Sequence, residues 1–382
     1  MKVCGLFSGI GGFEVAFERE GGHCVGLCEI DETARAVLKT HFPSTPIHDD
    51  VQNLSRLPRA DVLTAGFPCQ DLSQAGPKVG IKGERSGLVN EIFRLLKDAS
   101  PGPEWVILEN VSYMLRLANG QAMNYILTEI EAMGYNWAYR VLDARCFGLP
   151  QRRERVIMLL SKRNDPSSVL FPEKYIESPV DDSVGAVDKD CLYGFYWTEG
   201  KRGLGWTKNA VPTIKGGSGL GIASPPAIWD PVTGEFGTPS IEDAERMFGY
   251  PAGWTASASA INPKKGARWK LVGNTVCVPM VDWVVKNIAK PAGLKSHFRQ
   301  LSAADRPPLA AFGKNSERYS VNVSTWCKRT SQPKLRTFLK NELVPLSLRA
   351  ATGFYSRAVT TTTIRFAEGF LDSLNSYIKG IK

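Results

Sequence analysis

The chain has 382 residues, 43% of them apolar, and a formal charge of +9 at neutral pH, enough for two or three domains with substantial cores. Its eight scattered cysteines show no CxxC or Cys/His spacing, which excludes a disulfide scaffold and a zinc site and suits a reducing compartment. No apolar run is long enough to span a bilayer, and a strand and turn stand where a secretory leader would be expected.

In chain order, the first element is a short apolar strand, Val3-Cys-Gly-Leu6, followed by the turn Phe7-Ser-Gly-Ile-Gly-Gly12 and a helix over Phe13 to Glu20. Glycines let a backbone bend sharply and approach a ligand closely, although this spacing is not the GxGxxG of a dinucleotide site. The next strand, Cys24 to Cys28, ends at Glu29, where a carboxylate can accept from both hydroxyls of a ribose. Asp31 reads as a helix N-cap. A third strand end follows at Asp49-Asp50-Val51. Three successive strand ends carrying a glycine turn and two acids point to a nucleotide-like cofactor at the carboxyl edge of an open α/β sheet.

Asp61 to Phe67 reads as a buried parallel strand, and Pro68 stiffens the turn that presents Cys69. A lone cysteine is usually a small buried hydrophobe; this one stands at a strand end, where ligand chemistry collects. Residues 71–88 combine Gly76, Gly80, Gly83 and Gly87 with Lys78, Lys82 and Arg85, a loop able to swing over a ligand and exclude water. Glu104 to Val111 is a further buried strand ending in the carboxylate of Glu109 and the amide of Asn110. Gln151-Arg-Arg-Glu-Arg155 is a charged turn before the strand Val156 to Leu160. From 163 to 240 the chain is rich in Gly, Pro, Trp and Tyr and reads as short strands and loops. Gly273-Asn-Thr-Val276 then opens an amphipathic helix through Lys286.

Residues 291–382 hold 15 Lys+Arg against 5 Asp+Glu, a net of +10, while the other 290 residues hold 32 against 33, a net of −1. The positive excess therefore lies in the tail. Within it Leu335, Phe338, Leu339 and Leu343, and again Phe366, Phe370, Leu371 and Leu374, recur at helical spacing, so part of it is expected to fold and pack.

Across about residues 1 to 290 this set resembles, in order and spacing, the C5-cytosine DNA methyltransferase family. The matching elements are Phe7 to Glu14, Glu29, Asp50-Val51, Gly66 to Gln70, Glu109-Asn110-Val111, Gln151 to Arg155 and Gly273-Asn274-Thr275. The resemblance implies an enzyme that transfers a methyl group from S-adenosyl-L-methionine to C5 of a cytosine flipped out of duplex DNA, with no metal. It implies that Cys69 is the nucleophile at C6 and that Glu109 holds the N3 and amino edge of the base. Arg155 would touch the base carbonyl and Arg153 a phosphate, while Gln70 fills the gap in the duplex or braces the loop. For the cofactor, Phe7 would stack on the adenine, and Gly9, Ile10 and Gly12 would line the methionine portion. Glu29 would take the ribose and Asp50 the adenine amino group, with Val51 against the ring. Pro68 and Leu88 would lie near the sulfonium, and Asn274 and Val276 would complete the pocket. Ile30 stands where the family often has an aromatic on the adenine, which implies weaker cofactor binding.

The implied architecture is a catalytic and cofactor-binding domain over 1–165, with a doubly wound, mostly parallel sheet. A small β-rich target recognition domain with its buttress would cover 166–267, with Lys201, Arg202, Lys208 and Lys215 as candidate base or phosphate contacts. The chain would return to the catalytic domain over 268–290 and end in a basic extension, 291–382, of undetermined role. The implied partner is double-stranded DNA, without a membrane. The setting would be a monomer in the cytoplasm, on the nucleoid of a prokaryote or phage, with a cognate restriction endonuclease left open. Charge alone leads to the expectation that residues beyond about 295 strengthen DNA binding without specifying sequence. Lys328-Arg329, Lys334, Arg336 and Lys340, around Trp326 and Phe338, would make those contacts. Two other readings are a transfer RNA cytosine-5 methyltransferase and a catalytically inactive DNA-binding scaffold. The first would show Pro-Pro-Cys and a Cys-Phe-Thr, whereas here Phe67 precedes Pro68 and no Cys-Phe-Thr occurs. Against the second stand Cys69, Glu109, Arg155 and Glu29, all intact.

Overall fold

The computed structural model describes residues 1–68, 87–180, 185–200, 204–217, 223–302, 305–362 and 364–381. The chain forms two compact units. The first comprises residues 1–146, 154–178 and 275–329. Its strands β1 (Lys2–Leu6), β2 (His23–Cys28), β3 (Ile47–His48), β4 (Val62–Gly66) and β5 (Trp105–Val111) are parallel, in the order β3-β2-β1-β4-β5. Helices α1 (Gly12–Arg19), α2 (Glu32–His41), α3 (Gly87–Asp98) and α4 (Gln121–Ala132) lie between strands along the chain. The order reverses between β1 and β4, and in open α/β sheets ligands bind at such a switch point, beyond the carboxyl ends of the strands.

β6 (Asn136–Asp143) follows α4, the two-residue β7 (Gln151–Arg152) leaves the sheet, and β8 (Glu154–Ser161) returns antiparallel between β5 and β6. The strand expected over Val156 to Leu160 thus begins two residues earlier, which puts Arg155 in the sheet opposite Val111. Alternate residues explain why these runs are so apolar. Cys4, Leu6, Leu63, Ala65, Val106, Leu108 and Met158 share one core with Val89, Ile92 and Phe93 of α3 and Met123 and Ile126 of α4. The intervening Val3, Val62, Ile107 and Ile157 are equally buried, so both faces of the sheet are covered. The short α5 (Ser167–Leu170) follows β8.

The second unit comprises residues 147–153, 179–274 and 330–382. It carries β9 (Tyr193–Phe195), β10 (Trp206–Lys208), β11 (Val211–Pro212), β12 (Ala227–Trp229) and β13 (Phe236–Thr238), then α6 (Ile241–Arg246), α7 (Ala258–Ile261) and α8 (Lys265–Asn274). The chain then re-enters the first unit as α9 (Val278–Ala289), which is tied to α1 by the Arg19–Asp282 ion pair at 3.2 Å. The helix expected from Gly273 to Lys286 is therefore two helices with a break over 275–277. Pro279 has no N–H to give to the carbonyl of residue 275, so a new helix starts with proline in its first turn.

The tail is not one extension. Strands β14 (Phe298–Gln300), β15 (Ala310–Lys314) and β16 (Glu317–Val321) continue the first sheet beyond β6, in the order β6-β15-β16-β14. Then α10 (Leu335–Phe338), β17 (Val344–Pro345), α11 (Leu348–Ala358) and α12 (Phe370–Ile381) build the second unit, whose sheet runs β10-β9-β12-β13-β17. Phe354, Phe370, Leu374 and Ile378 share a core with Tyr193, Phe195, Trp206, Trp229 and Phe236. Arg336 forms a two-pronged ion pair with the buried Asp230, and Asp243 accepts the backbone N–H groups of Lys340 and Asn341 at 2.9 and 3.1 Å. Trp326 is 1% exposed, in the first unit. The expected phosphate contact of Arg336 is thereby corrected, because its guanidinium is committed to Asp230, and Trp326 is buried rather than set among the contacting cations. Among the described residues no helix is long and apolar enough to cross a membrane.

Candidate active site

The turn after β1 is built from backbone conformations that side chains rarely allow. Phe7, Gly9 and Gly11 have φ of 53°, 55° and 87°. Gly11 caps α1, and a Cβ there would stand 2.5 Å from the Phe42 ring, so the turn closes only with glycine. At Gly9 a Cβ would meet nothing within 4 Å; this is the open side of the turn.

Glu29, at the end of β2, clamps that turn. Its Oε2 accepts the Gly9 N–H at 2.7 Å and its Oε1 the Asp31 N–H at 2.8 Å. Burial pushes the Glu29 carboxyl up, and the two backbone donors oppose the shift. A carboxylate has about four acceptor positions, so a vicinal diol can still be held. Beside it Ile30 presents an apolar side chain that is 71% exposed. Asp31 caps α2 through Thr33 N–H at 2.9 Å, as the sequence implies. Asp50 caps the turn 51–53 through Gln52 N–H at 2.9 Å, which leaves its second oxygen for another donor. Phe7 and Leu88 are half-buried and Pro68 is exposed. Ile10 and Val51 have buried side chains, and Gly12 is buried in the first turn of α1, so Ile10 and Gly12 can face a ligand only through backbone.

At the end of β5, Glu109 lies opposite Gly66 of β4; a Cβ on Gly66 would be 3.6 Å from Glu109 Oε2. Arg155 Nε meets Glu109 Oε1 at 3.0 Å, and its Nη1 donates to the Glu154 carbonyl at 2.7 Å. Both side chains are almost buried. Asn110 is a positioning residue that the sequence reading left without a role. Its Nδ2 donates to the Phe67 carbonyl at 3.0 Å and its Oδ1 accepts the Val111 N–H at 2.8 Å. The chain entering Pro68 is therefore fixed beside the Glu109–Arg155 pair; the signal was the amide following Glu109. Cys69, Gln70 and residues 71–86 of the expected lid lie outside the described residues.

In the second unit Arg153 is 1% exposed. It donates to the carbonyls of Ile214 (3.0 Å) and Gly273 (3.3 Å) and lies 4.7 Å over the Phe248 ring. Its expected phosphate contact is corrected: the guanidinium is spent on backbone carbonyls that the fold would otherwise leave unpaired. Gln151 is also buried, bonded to Met247 and Ile214. Gly216 and Gly273 permit a close crossing, since a Cβ at either would come within 2.1 Å of the other segment. Asn274, exposed, ends this unit, whereas Val276 belongs to the first. Lys208 pairs with Asp188 at 3.1 Å, and Lys215 pairs with Glu199 at 3.1 Å while lying over Tyr196. Lys201 and Arg202 lie outside the described residues.

Residues 1–191 match the model of the C-5 cytosine-specific DNA methylase family. The chain is 47% identical over 378 residues to the Type II methyltransferase M2.BsuMI of Bacillus subtilis, covering 98% of this chain and 97% of that one. It belongs to the C-5 cytosine-specific DNA methylase family. The Type II methyltransferase M.HhaI of Haemophilus parahaemolyticus is 26% identical over 325 residues, 78% of this chain and 97% of its own. Among solved structures, S. pombe Dnmt2 superposes with a TM-score of 0.54 over 76% of this chain and 99% of its own; at 16% identity this likeness shows the fold. The methylase is thus an enzyme, a DNA cytosine-5 methyltransferase, with DNA as substrate.

One further group in the methylase was not foreseen. Glu14 of α1 is fully buried, with its Oε1 3.4 Å from Thr64 Oγ1 and so close beneath Gly5 that a Cβ there would stand 2.1 Å from it. Burial raises its carboxyl from 4.5 to about 7, against the pull of Thr64. A raised carboxyl favours the folded state while protonated, so its contribution is full below about 4.5 and lost as pH rises through about 7. Glu14→Gln is expected to flatten that decline and to raise the thermal midpoint above wild type at pH 8. Parallel midpoint-against-pH curves for the two proteins would contradict the assignment.

Proposed function

We propose that this methylase transfers the methyl group of S-adenosyl-L-methionine to C5 of a cytosine flipped out of duplex DNA, through a covalent bond between Cys69 and C6. The observation that carries the reading is the Glu109–Arg155 pair held beside the end of β4, from which the chain leads through Pro68 to Cys69. Cytosine C5 is too poor a nucleophile to react unaided. Addition of the Cys69 thiolate at C6 makes C5 enamine-like; C5 takes the methyl group, and loss of its proton expels the thiolate. Glu109 hydrogen-bonds the N3 and amino edge, stabilising the base as it gains electrons. Arg155 orients Glu109 and lends positive charge to the thiol's surroundings, which raises the thiolate fraction. A stacked base is covered on both faces, so extrusion, at a cost of a few kcal/mol, precedes attack.

The described cofactor residues fit the group: acceptor positions on Glu29, an open Gly9, and the apolar Phe7 and Ile30 nearby. When bound, the cofactor supplies an electrophilic methyl on a sulfonium. Glu29→Ala is expected to raise the cofactor KM about 10- to 100-fold, the equivalent of ~1.5–3 kcal/mol for a charged hydrogen-bonding group, and to leave the DNA KM nearly unchanged. Equal shifts in both KM values would put the cofactor elsewhere.

The second unit, including 330–382, serves as the target recognition domain in this reading. The methylase acts as a monomer within a bacterial or phage restriction-modification system, with a cognate endonuclease, in keeping with the Type II names of its relatives. Incubation with labelled cofactor and either duplex DNA or transfer RNA tests the substrate. Label is expected in duplex DNA alone, with bisulfite sequencing reading out one recognition sequence; label in transfer RNA or in neither would reject the reading.

A further inference from the structure

We propose that Cys146 and Cys327 form a redox clasp, closing under hydrogen peroxide into a reversible disulfide beside two of the three points at which the chain leaves the first unit. Those points follow Cys146 and Arg329. Cys146 lies in the single turn Ala144–Phe147 after β6, and Cys327 follows the buried Trp326. Their sulfurs are 3.3 Å apart; a disulfide bond is about 2.05 Å long, so closure needs roughly an ångström of travel.

The backbone around the pair is held from several sides. Asp143 N–H donates to the Thr325 carbonyl at 3.1 Å, and Arg140, 0% exposed, donates to the carbonyls of Ser324 (3.0 Å) and Trp326 (2.7 Å). The Cys327 N–H points at Cys146 Sγ from 3.2 Å. The electrostatics separate this thiol from Cys4, Cys24, Cys28 and Cys191, all of which are raised. Burial pushes Cys4 and Cys28 up to about 12 and Cys191 to about 11. Hydrogen bonding from Cys327, aided by Lys328, draws Cys146 down to about 7 despite its burial.

The Cys327 backbone N–H aimed at Cys146 Sγ would stabilise a thiolate there, which makes Cys146 the attacking group and Cys327 the resolving one. The Cys146 thiolate attacks one peroxide oxygen, the O–O bond breaks, and the departing hydroxide takes a proton to leave as water. The resulting sulfenic acid is attacked by the Cys327 sulfur: the S–S bond forms, the S–O bond breaks, and the second water carries away the Cys327 proton. Two thiols lose two electrons and one hydrogen peroxide becomes two waters. An oxidant this small suits a pair that is 0% and 3% exposed.

The test uses the full-length Cys69→Ser protein, so that the proposed nucleophile does not consume oxidant. After hydrogen peroxide, alkylation in denaturant and digestion, mass spectrometry is expected to find one linked peptide pair, Cys146 with Cys327, reopened by dithiothreitol. The oxidised protein is expected to melt several degrees above the reduced one, and both effects to vanish when Cys327→Ser is added. Should that variant not fold, Cys327→Ala replaces it, and the linked pair in the parent remains decisive. Both thiols fully alkylated after peroxide, or Cys146 driven to the sulfinic acid with Cys327 free, would overturn the proposal.

Discussion

Cys69→Ser is expected to bring methyl transfer to background while cofactor and duplex DNA still bind within a few-fold of wild type. A free thiol has a pKa of ~8.5, so a few per cent is thiolate at neutral pH, and thiolate is intrinsically a strong nucleophile. A serine hydroxyl of nearly the same size supplies almost no anion at that pH, so attack on C6 fails while the pocket stays filled. The loss should fall on kcat rather than on KM, since the interaction removed is made only during reaction. Methyl transfer surviving in the serine variant would remove Cys69 from the mechanism; a collapse of cofactor binding instead would mark it as a packing residue.

Phe370→Ala is expected to destabilise the second unit by about 3–5 kcal/mol, the cost of emptying a large buried aromatic site. Phe370 is 0% exposed, with ring centroids of Trp206, Phe366, Trp229, Phe195 and Phe236 between 4.7 and 5.7 Å away. Whole domains are stable by only ~5–15 kcal/mol, so one truncation of this kind consumes much of the margin. Denaturant midpoints check it, with the exposed Val359→Ala, 47% exposed, as a near-neutral control. The same packing changes what removal of the tail should do. Ending the chain at 295 deletes β14–β16 from one sheet and β17, α11 and α12 from the other unit. The expected result is loss of the folded enzyme, not a soluble enzyme with a flatter salt dependence. A folded, sequence-specific 1–295 protein would contradict the division of the tail between the two units.

Much of the first unit was legible because its strands are buried on both faces and read as unbroken apolar runs. The positions of Glu29, directly after β2, and of Glu109, near the end of β5, follow from such runs. Arg153 was misassigned because a charged triplet says nothing about which guanidinium turns inward; carbonyls 61 and 120 residues away decide that. The break at 275–277 was hidden by apolar residues that keep helical spacing across it, and only Pro279 betrays it. The tail misled for a related reason: net charge is a sum, while Arg336 and Lys334 meet Asp230 and Asp190 at sequence distances that composition cannot reveal. Asn110 stood in plain view beside Glu109. Its role became visible only when the Phe67 carbonyl was brought within reach.

The central claim is tested most directly by duplex DNA in which the target cytosine carries fluorine at C5. Fluorine cannot leave as the proton does, so the reaction should halt after methyl transfer with enzyme and DNA still joined. The expected result is a stoichiometric, denaturant-resistant complex that forms only with cofactor and duplex together and maps by peptide mass to Cys69. Labelled methyl reaching ordinary duplex DNA without any covalent complex on the fluorinated one, or a complex mapping to another residue, would contradict it.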